Sequence, residues 1–296
     1  MTIIATCAFP PTYDVAKSVE LHLSYIEEAA AAGADLVVFP ETSIQGYPAN
    51  FSVMEAEADI KKMYEVAELV PGGPSVDAIA DKAREKGIHV IYGLTEASDR
   101  PGVVYNTMVL TGPDGYIGKF RKVHVGLSEQ MVWRTGDDWP VFETPFGRIG
   151  MLICYDKAFP ESCRELTLRG ADILVMSTAW PLMPGHGTGT DNLWVQQYDA
   201  FERVRAMENG RWFVSSNFIG ELGGIEFFGM SQIINPVGEV VATTGTETVG
   251  LVTAEIDVFG GMADARAAMQ GAFLVRDRRP DTYLVLGGEL PVAVDG

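Results

Sequence analysis

Along the chain, short apolar runs alternate with longer stretches whose apolar residues recur at helical spacing, the rhythm of strands feeding helices. Thr2 to Phe9 reads as a strand, and Val15 to Ala32 as a helix that stops at Gly33. Leu36 to Phe39 is a second strand, and Met54 to Leu69 is helical. Pro74 to Lys86 is a helix stopped by Gly87, and His89 to Gly93 is a strand. The rhythm then changes. Tyr105 to Thr111 and Tyr116 to Phe120 flank the turn Gly112-Pro-Asp-Gly115, a β-hairpin pattern. Ser231 to Ile234 and Glu239 to Thr243 flank Asn235-Pro-Val-Gly238 in the same way, which hints at two similar sheet halves. Between the hairpins lie a strand ending at Ile153, helix Glu161 to Leu168 and strand Ile173 to Met176. A polar loop from Pro181 to Thr190, helix Trp194 to Glu208 and strand Trp212 to Ser216 follow, and Leu251 to Ile256 is the last strand. Hairpins mixed with strand–helix pairs fit two sheets packed together with helices outside, an α/β four-layer α-β-β-α sandwich, better than a doubly wound sheet.

With 296 residues, 47% of them hydrophobic, and no Ser/Pro/Gly linker or charge block, the chain reads as one large domain over residues 1–275. The Arg/Pro/Asp-rich segment 276–296, apolar again at Tyr283 to Leu286, reads as an arm seeking a partner surface. No apolar run approaches the ~20 residues of a membrane span. The N-terminus lacks the basic flank of a secretory signal and reads as a core strand. Three cysteines (Cys7, Cys154 and Cys163), with no Cys-x-x-Cys or paired His, point to neither a disulfide framework nor a metal site and fit a reduced cytoplasmic setting. A net charge of −18, from 40 acidic and 22 basic residues, makes nucleic acid a poor partner.

Three strand ends carry the candidate chemistry. The apolar run Gly150 to Ile153 delivers Cys154 to a turn, where α/β enzymes place nucleophiles. Val37-Val-Phe-Pro40 ends at Glu41, a carboxylate too close to the core to stay unpaired without cost. The strand Tyr116 to Phe120 ends near Lys122. A thiol needs a base or a cation to ionise. Glu41 can take its proton and return it to a leaving amine, and Lys122 can stabilise an oxyanion. Gly185-His-Gly-Thr-Gly-Thr190 lacks the lysine and preceding strand of a phosphate loop, and Asn50-Phe-Ser52 is a glycosylation triplet without a secretory context. His124 reads as a structural histidine and Phe227-Phe228 as core.

Here the chain resembles the nitrilase superfamily, the carbon–nitrogen hydrolases. Phe39-Pro-Glu-Thr-Ser-Ile-Gln-Gly-Tyr-Pro48 is similar to the family's glutamate segment, Phe120-Arg-Lys-Val-His124 to its lysine segment and Ile153-Cys-Tyr-Asp-Lys-Ala-Phe-Pro-Glu161 to its cysteine segment. Arg205-Ala-Met-Glu-Asn209, Asn217 and Phe228-Gly-Met-Ser231 follow in order, so the resemblance spans roughly residues 2 to 280. It implies the four-layer fold, a Glu41–Lys122–Cys154 triad, no cofactor or metal, and a homodimer or larger homo-oligomer. Helix Glu161 to Leu168 and the tail Arg276 to Leu286 would form the interface. Glu129 matches a second glutamate of the family.

Tyr155-Asp156 after the nucleophile resembles amidase and carbamoyl-amidase branches. The segments around Glu41 and Glu129 also resemble nitrilases and aliphatic amidases. The expectation is hydrolysis of a small to medium neutral carboxamide, with nitrile or N-carbamoyl amide hydrolysis as alternatives. The pocket is expected from loops Tyr47 to Phe51, Gly126 to Arg134 and Trp180 to Trp194, with Tyr47, Trp133, Tyr155 and Trp180 on the substrate. No arginine can be assigned to a carbamoyl substrate.

Overall fold

The computed structural model describes residues 1–48 and 56–283. In chain order the elements are β1 (Thr2–Ala8), α1 (Val15–Ala31), β2 (Leu36–Val38), α2 (Ala56–Val66), α3 (Pro74–Lys86), β3 (His89–Ala97), β4 (Val104–Gly112) and β5 (Gly115–Arg121). The second half follows as β6 (Val141–Thr144), β7 (Gly147–Ile153), α4 (Pro160–Leu168), β8 (Ile173–Thr178), α5 (Leu193–Asn209) and β9 (Trp212–Asn217). Last come β10 (Ile219–Leu222), β11 (Ile225–Phe228), β12 (Gln232–Ile234), β13 (Val240–Thr243), β14 (Gly250–Ile256) and α6 (Val258–Ala268).

The strands form two six-stranded sheets, β14-β1-β2-β3-β4-β5 and β6-β7-β8-β9-β12-β13. The second, third and fourth strands of each run parallel, and the flanking strands run antiparallel. The two hairpins of similar sequence, β4–β5 and β12–β13, therefore occupy equivalent places in two like-built sheets. Parallel neighbours need a helical crossover. α1 and α3 supply these for the first sheet, α4 and α5 for the second, and each pair of helices is in mutual contact. This is the expected α-β-β-α sandwich.

Each helix turns one stripe inward. On α1 the buried residues are Ser18, His22, Ile26 and Ala29, and Asp14 caps the start by accepting from the Lys17 N–H at 3.1 Å. The buried stripe of α5 includes two charges, Glu202 and Arg205, between Tyr198 and Ala206. Where the sheets face each other, small hydroxyls reach across. Thr6 Oγ1 donates to Ser215 O, Ser177 Oγ to Phe39 O, and Ser216 Oγ to Cys7 O, each at 2.7 Å.

Four elements depart from the sequence expectation. β6 is too short to carry a pattern. The β10–β11 hairpin, separate from both sheets, is Gly- and Glu-rich except at Phe227-Phe228, which are buried as expected. α6 contains Gly260-Gly261, which lowers helix propensity. Gly261 is needed there, because a Cβ would come 2.6 Å from the Trp212 ring. Residues 276–283 of the expected arm are mostly exposed, whereas Leu284, Val285 and Leu286 lie outside the described residues, as does the part of the expected Tyr47 to Phe51 loop after Pro48. No helix among the described residues is long and apolar enough to cross a membrane.

Candidate active site

Glu41 leaves the end of β2, Lys122 the end of β5 and Cys154 the end of β7, so the carboxylate and ammonium come from one sheet and the thiol from the other. Lys122 Nζ donates to Glu41 Oε1 at 2.8 Å and to Glu129 Oε1 at 2.6 Å. Glu129 stands on a 3₁₀ turn, Leu127–Met131, and is buried rather than solvated. Tyr47 donates its hydroxyl to Glu129 Oε1 at 2.7 Å, and the Gly126 N–H donates to Glu129 Oε2 at 3.1 Å. The other Glu41 bonds come from Asn106 Nδ2 on β4, at 2.6 Å to Oε1, and from the Ala179 N–H just past β8, at 2.9 Å to Oε2. Glu41, Lys122 and Glu129 thus form one chain of charge-assisted hydrogen bonds with no solvent contact at its centre.

Burial raises the Glu41 carboxyl above the ordinary carboxylate range, and Lys122 only partly restrains it. Burial works against the Lys122 ammonium, but Glu129 and Glu41 outweigh it and hold the lysine charged, well above its ordinary value. The Cys154 thiol is pushed up to about 12, first by burial and then by Glu41, against the pull of Lys122. The resting thiol is therefore neutral, and acting as a nucleophile would require a base.

Cys154 sits at a left-handed φ of 47°, and Thr42, the residue after Glu41, at 46°. Non-glycine residues in that region are strained and persist where the surroundings hold them. β3 approaches Thr42 so closely at Gly93 that a Cβ there would collide with the Thr42 N–H. The turn after Cys154 is tied from several sides. Buried Asp156 accepts from Ile153 N at 3.0 Å and from His124 N at 2.8 Å, linking the cysteine strand to the lysine loop. His124, stacked on Phe159 at 3.8 Å, also bonds Asp156 through Nδ1, which fits its structural reading. Arg205 on α5 donates to the carbonyls of Lys157 and Ala158. Lys157 Nζ lies 2.9 Å from Glu202 Oε1, both side chains fully buried, and 3.3 Å over the Tyr198 ring. Asn217, at the end of β9, accepts from Trp180 N at 2.9 Å and donates to Trp180 O at 3.2 Å.

Cys154, Lys122 and Glu129 open onto a cavity of about 780 Å³ whose walls include Tyr47, Tyr155, Trp180, Trp194, Phe201 and Leu182. Of the four expected substrate residues, Tyr47, Tyr155 and Trp180 line it. Trp133 does not. Its indole is buried behind Tyr47, ring centroids 5.9 Å apart, and donates to Thr95 Oγ1 at 3.4 Å. The chain folds back after the 3₁₀ turn and commits that large apolar ring to a small core with Met63, Val104, Val125 and Val132. The sequence reading missed Asn106 and the brace Asp156. A buried Asn interrupting the apolar β4 pattern, and an Asp two residues after the cysteine, were the available signals. Among the described residues no group of His, Cys, Asp and Glu could hold a metal ion.

The carbon-nitrogen hydrolase family model matches residues 3–263. A probable nitrilase of Schizosaccharomyces pombe is 30% identical over 279 residues, covering 93% of this chain and 94% of its own. The omega-amidase of Homo sapiens is 30% identical over 273 residues, covering 88% and 89%. A carbon–nitrogen hydrolase of Helicobacter pylori G27 superposes with a TM-score of 0.82 over 96% of this chain and 97% of that one; at 24% identity this bears on the fold alone. A chain whose two sheets bring these strand ends together, and which the family model spans almost throughout, belongs to the carbon–nitrogen hydrolases of the nitrilase superfamily. It is a hydrolase of carbon–nitrogen bonds.

Proposed function

We propose that the protein is a thiol amidohydrolase that cleaves a small to medium primary carboxamide, the acyl segment beside Cys154 being uncharged. The observation that carries this reading is the buried Glu41–Lys122–Glu129 hydrogen-bond chain beside a neutral Cys154 thiol in an aromatic-walled cavity. As Cys154 Sγ attacks the amide carbon, Glu41 takes the thiol proton. The Lys122 ammonium stabilises the oxyanion of the tetrahedral intermediate. Glu41 then returns the proton to the nitrogen, the C–N bond breaks, and ammonia leaves a thioester. Water, losing a proton to Glu41, attacks the thioester, and the carboxylic acid departs as the thiol is restored. Glu129, held by Tyr47, keeps Lys122 charged and in place.

Nitrile hydrolysis by the same triad is the second reading, favoured by the S. pombe relative named a probable nitrilase. N-carbamoyl amino acids fit less well, because no arginine is among the described residues lining the cavity. Ammonia release from matched primary amides, nitriles and N-carbamoyl amino acids separates the three. The amides should turn over fastest, and Cys154→Ala should abolish turnover in a folded protein. Turnover persisting in that variant would remove Cys154 as nucleophile, and turnover of nitriles alone would remove the amidase reading.

A further inference from the structure

The charges around the cavity are unbalanced. Among its described lining residues the one cation is Lys122, already committed to Glu41 and Glu129. The anions are Glu129 at the floor and Glu226 on β11 at the outer wall. Glu226 is exposed, and no ion pair involving it is formed among the described residues. The hairpin supplies no counter-charge, since its cross-strand neighbour is Glu221.

Strand alternation sets which way Glu226 faces. Phe227 packs on Phe218 and Tyr47. Phe228, which shares with Glu226 the face opposite Phe227, packs on Tyr198 of α5. That is the side on which Trp194, Gln197 and Phe201 of α5 form the cavity wall. The β11 backbone is pinned there, because the Leu182 N–H donates to Glu226 O at 2.8 Å. Aromatic faces attract cations, and a carboxylate at the rim adds to that pull while repelling anions.

We infer that Glu226 is a specificity-determining residue, selecting amides whose chain ends in an ammonium group over those ending in a carboxylate. This rests on the amidase reading and deepens it. The apolar segment of the chain lies against Trp180 and Leu182, and the cationic end reaches the space between Glu226 and the aromatic wall.

The test compares pentanamide, 4-aminobutanamide and glutaramate, which place methyl, ammonium or carboxylate after the same three methylenes, together with their five-methylene homologues. In the wild-type protein kcat/KM should favour ammonium over carboxylate by at least about tenfold, narrowing as salt rises from low to high ionic strength. Glu226→Gln should reduce the ammonium-to-methyl ratio by about fivefold, and Glu226→Lys should move the preference towards carboxylate. Ratios unchanged in Glu226→Gln, or a wild-type preference for carboxylate at both lengths, would overturn the inference. Calorimetric binding of the same amides to Cys154→Ala ranks them without turnover. Ordered affinities with no hydrolysis by the wild type would sink the amidase reading alone, and equal affinities would sink the role of Glu226.

Discussion

Replacing Glu41 by Gln tests the proposed proton route most directly. The side chain keeps its size, and its amide oxygen can still accept from Lys122 or the Ala179 N–H, but it cannot take a proton. The structure sets the scale of the loss. With the thiol near 12, the fraction ionised at pH 8 by simple equilibrium is ~10⁻⁴. A variant without its base depends on that fraction, which bounds the loss at about 10⁴-fold. Removing the Glu41 charge also removes the second largest influence that raises the thiol, so ionisation becomes easier and the expected loss lies at ~10²–10⁴ in kcat/KM. The assay is ammonia release from pH 6 to 10, with near-ultraviolet circular dichroism to confirm the fold. Wild-type activity should fall on the acid side as Glu41 is protonated. That limb should lie above the ordinary carboxylate range, because burial favours the neutral form. The variant should lack this limb and instead rise roughly tenfold per pH unit. A variant within tenfold of the wild type, or with a profile of the same shape, would refute Glu41 as the base.

Three further outcomes follow from packing and charge. Burial lowers His22 to about 4 from an ordinary 6.5, so below pH 6.5 the unfolded chain takes up a proton that the folded one refuses. Stability should therefore fall by about 3 kcal/mol between pH 6.5 and 4, and His22→Gln should lack this component in urea titrations; equal losses in both proteins would refute it. Lys157→Met or Glu202→Leu alone should cost ~3–5 kcal/mol by leaving one buried charge unpaired, while the double variant should recover most of it; additive losses would show that the pair is not coupled. Trp180→Ala should change relative rates across an amide chain-length series, whereas Trp133→Phe should lower the melting temperature without changing them; the reverse pattern would contradict the cavity described above.

Where a residue's neighbours in sequence explain its position, the sequence was legible. The apolar runs ending at Glu41 and Ile153, the Pro-x-Gly turns and the glycine-stopped helices all appear where the alternation places them, because each is set within a few residues. The repeated hairpin pattern even anticipated that the two sheets are built alike. Partners brought together from distant segments were not legible. Asn106, Ala179 and Glu41 meet across as many as 138 residues of chain, and nothing local marks Ala179 as a donor. Trp133 failed for a related reason: an aromatic near a catalytic loop can face the cavity or prop the residue that does, and only tertiary packing decides. α6 was hidden because Gly261 is set by close contact with Trp212, and Gly260 by close contact with the capping Asp257, rather than by helix propensity.

That the site straddles two sheets has a consequence for how activity is gained during folding. Each sheet can pair its own strands and cover itself with its own helices, yet neither holds the whole of the proposed centre. Glu41 and Lys122 on the first lack the thiol, and Cys154 on the second lacks the proposed base. The hydroxyl-to-carbonyl bonds from Thr6, Ser177 and Ser216 form only when the two faces meet, and the Ala179 N–H reaches Glu41 in the same event. Recovery of catalysis in a refolding experiment therefore reports the docking of two half-structures, a long-range and slow step, rather than the earlier appearance of helix and strand.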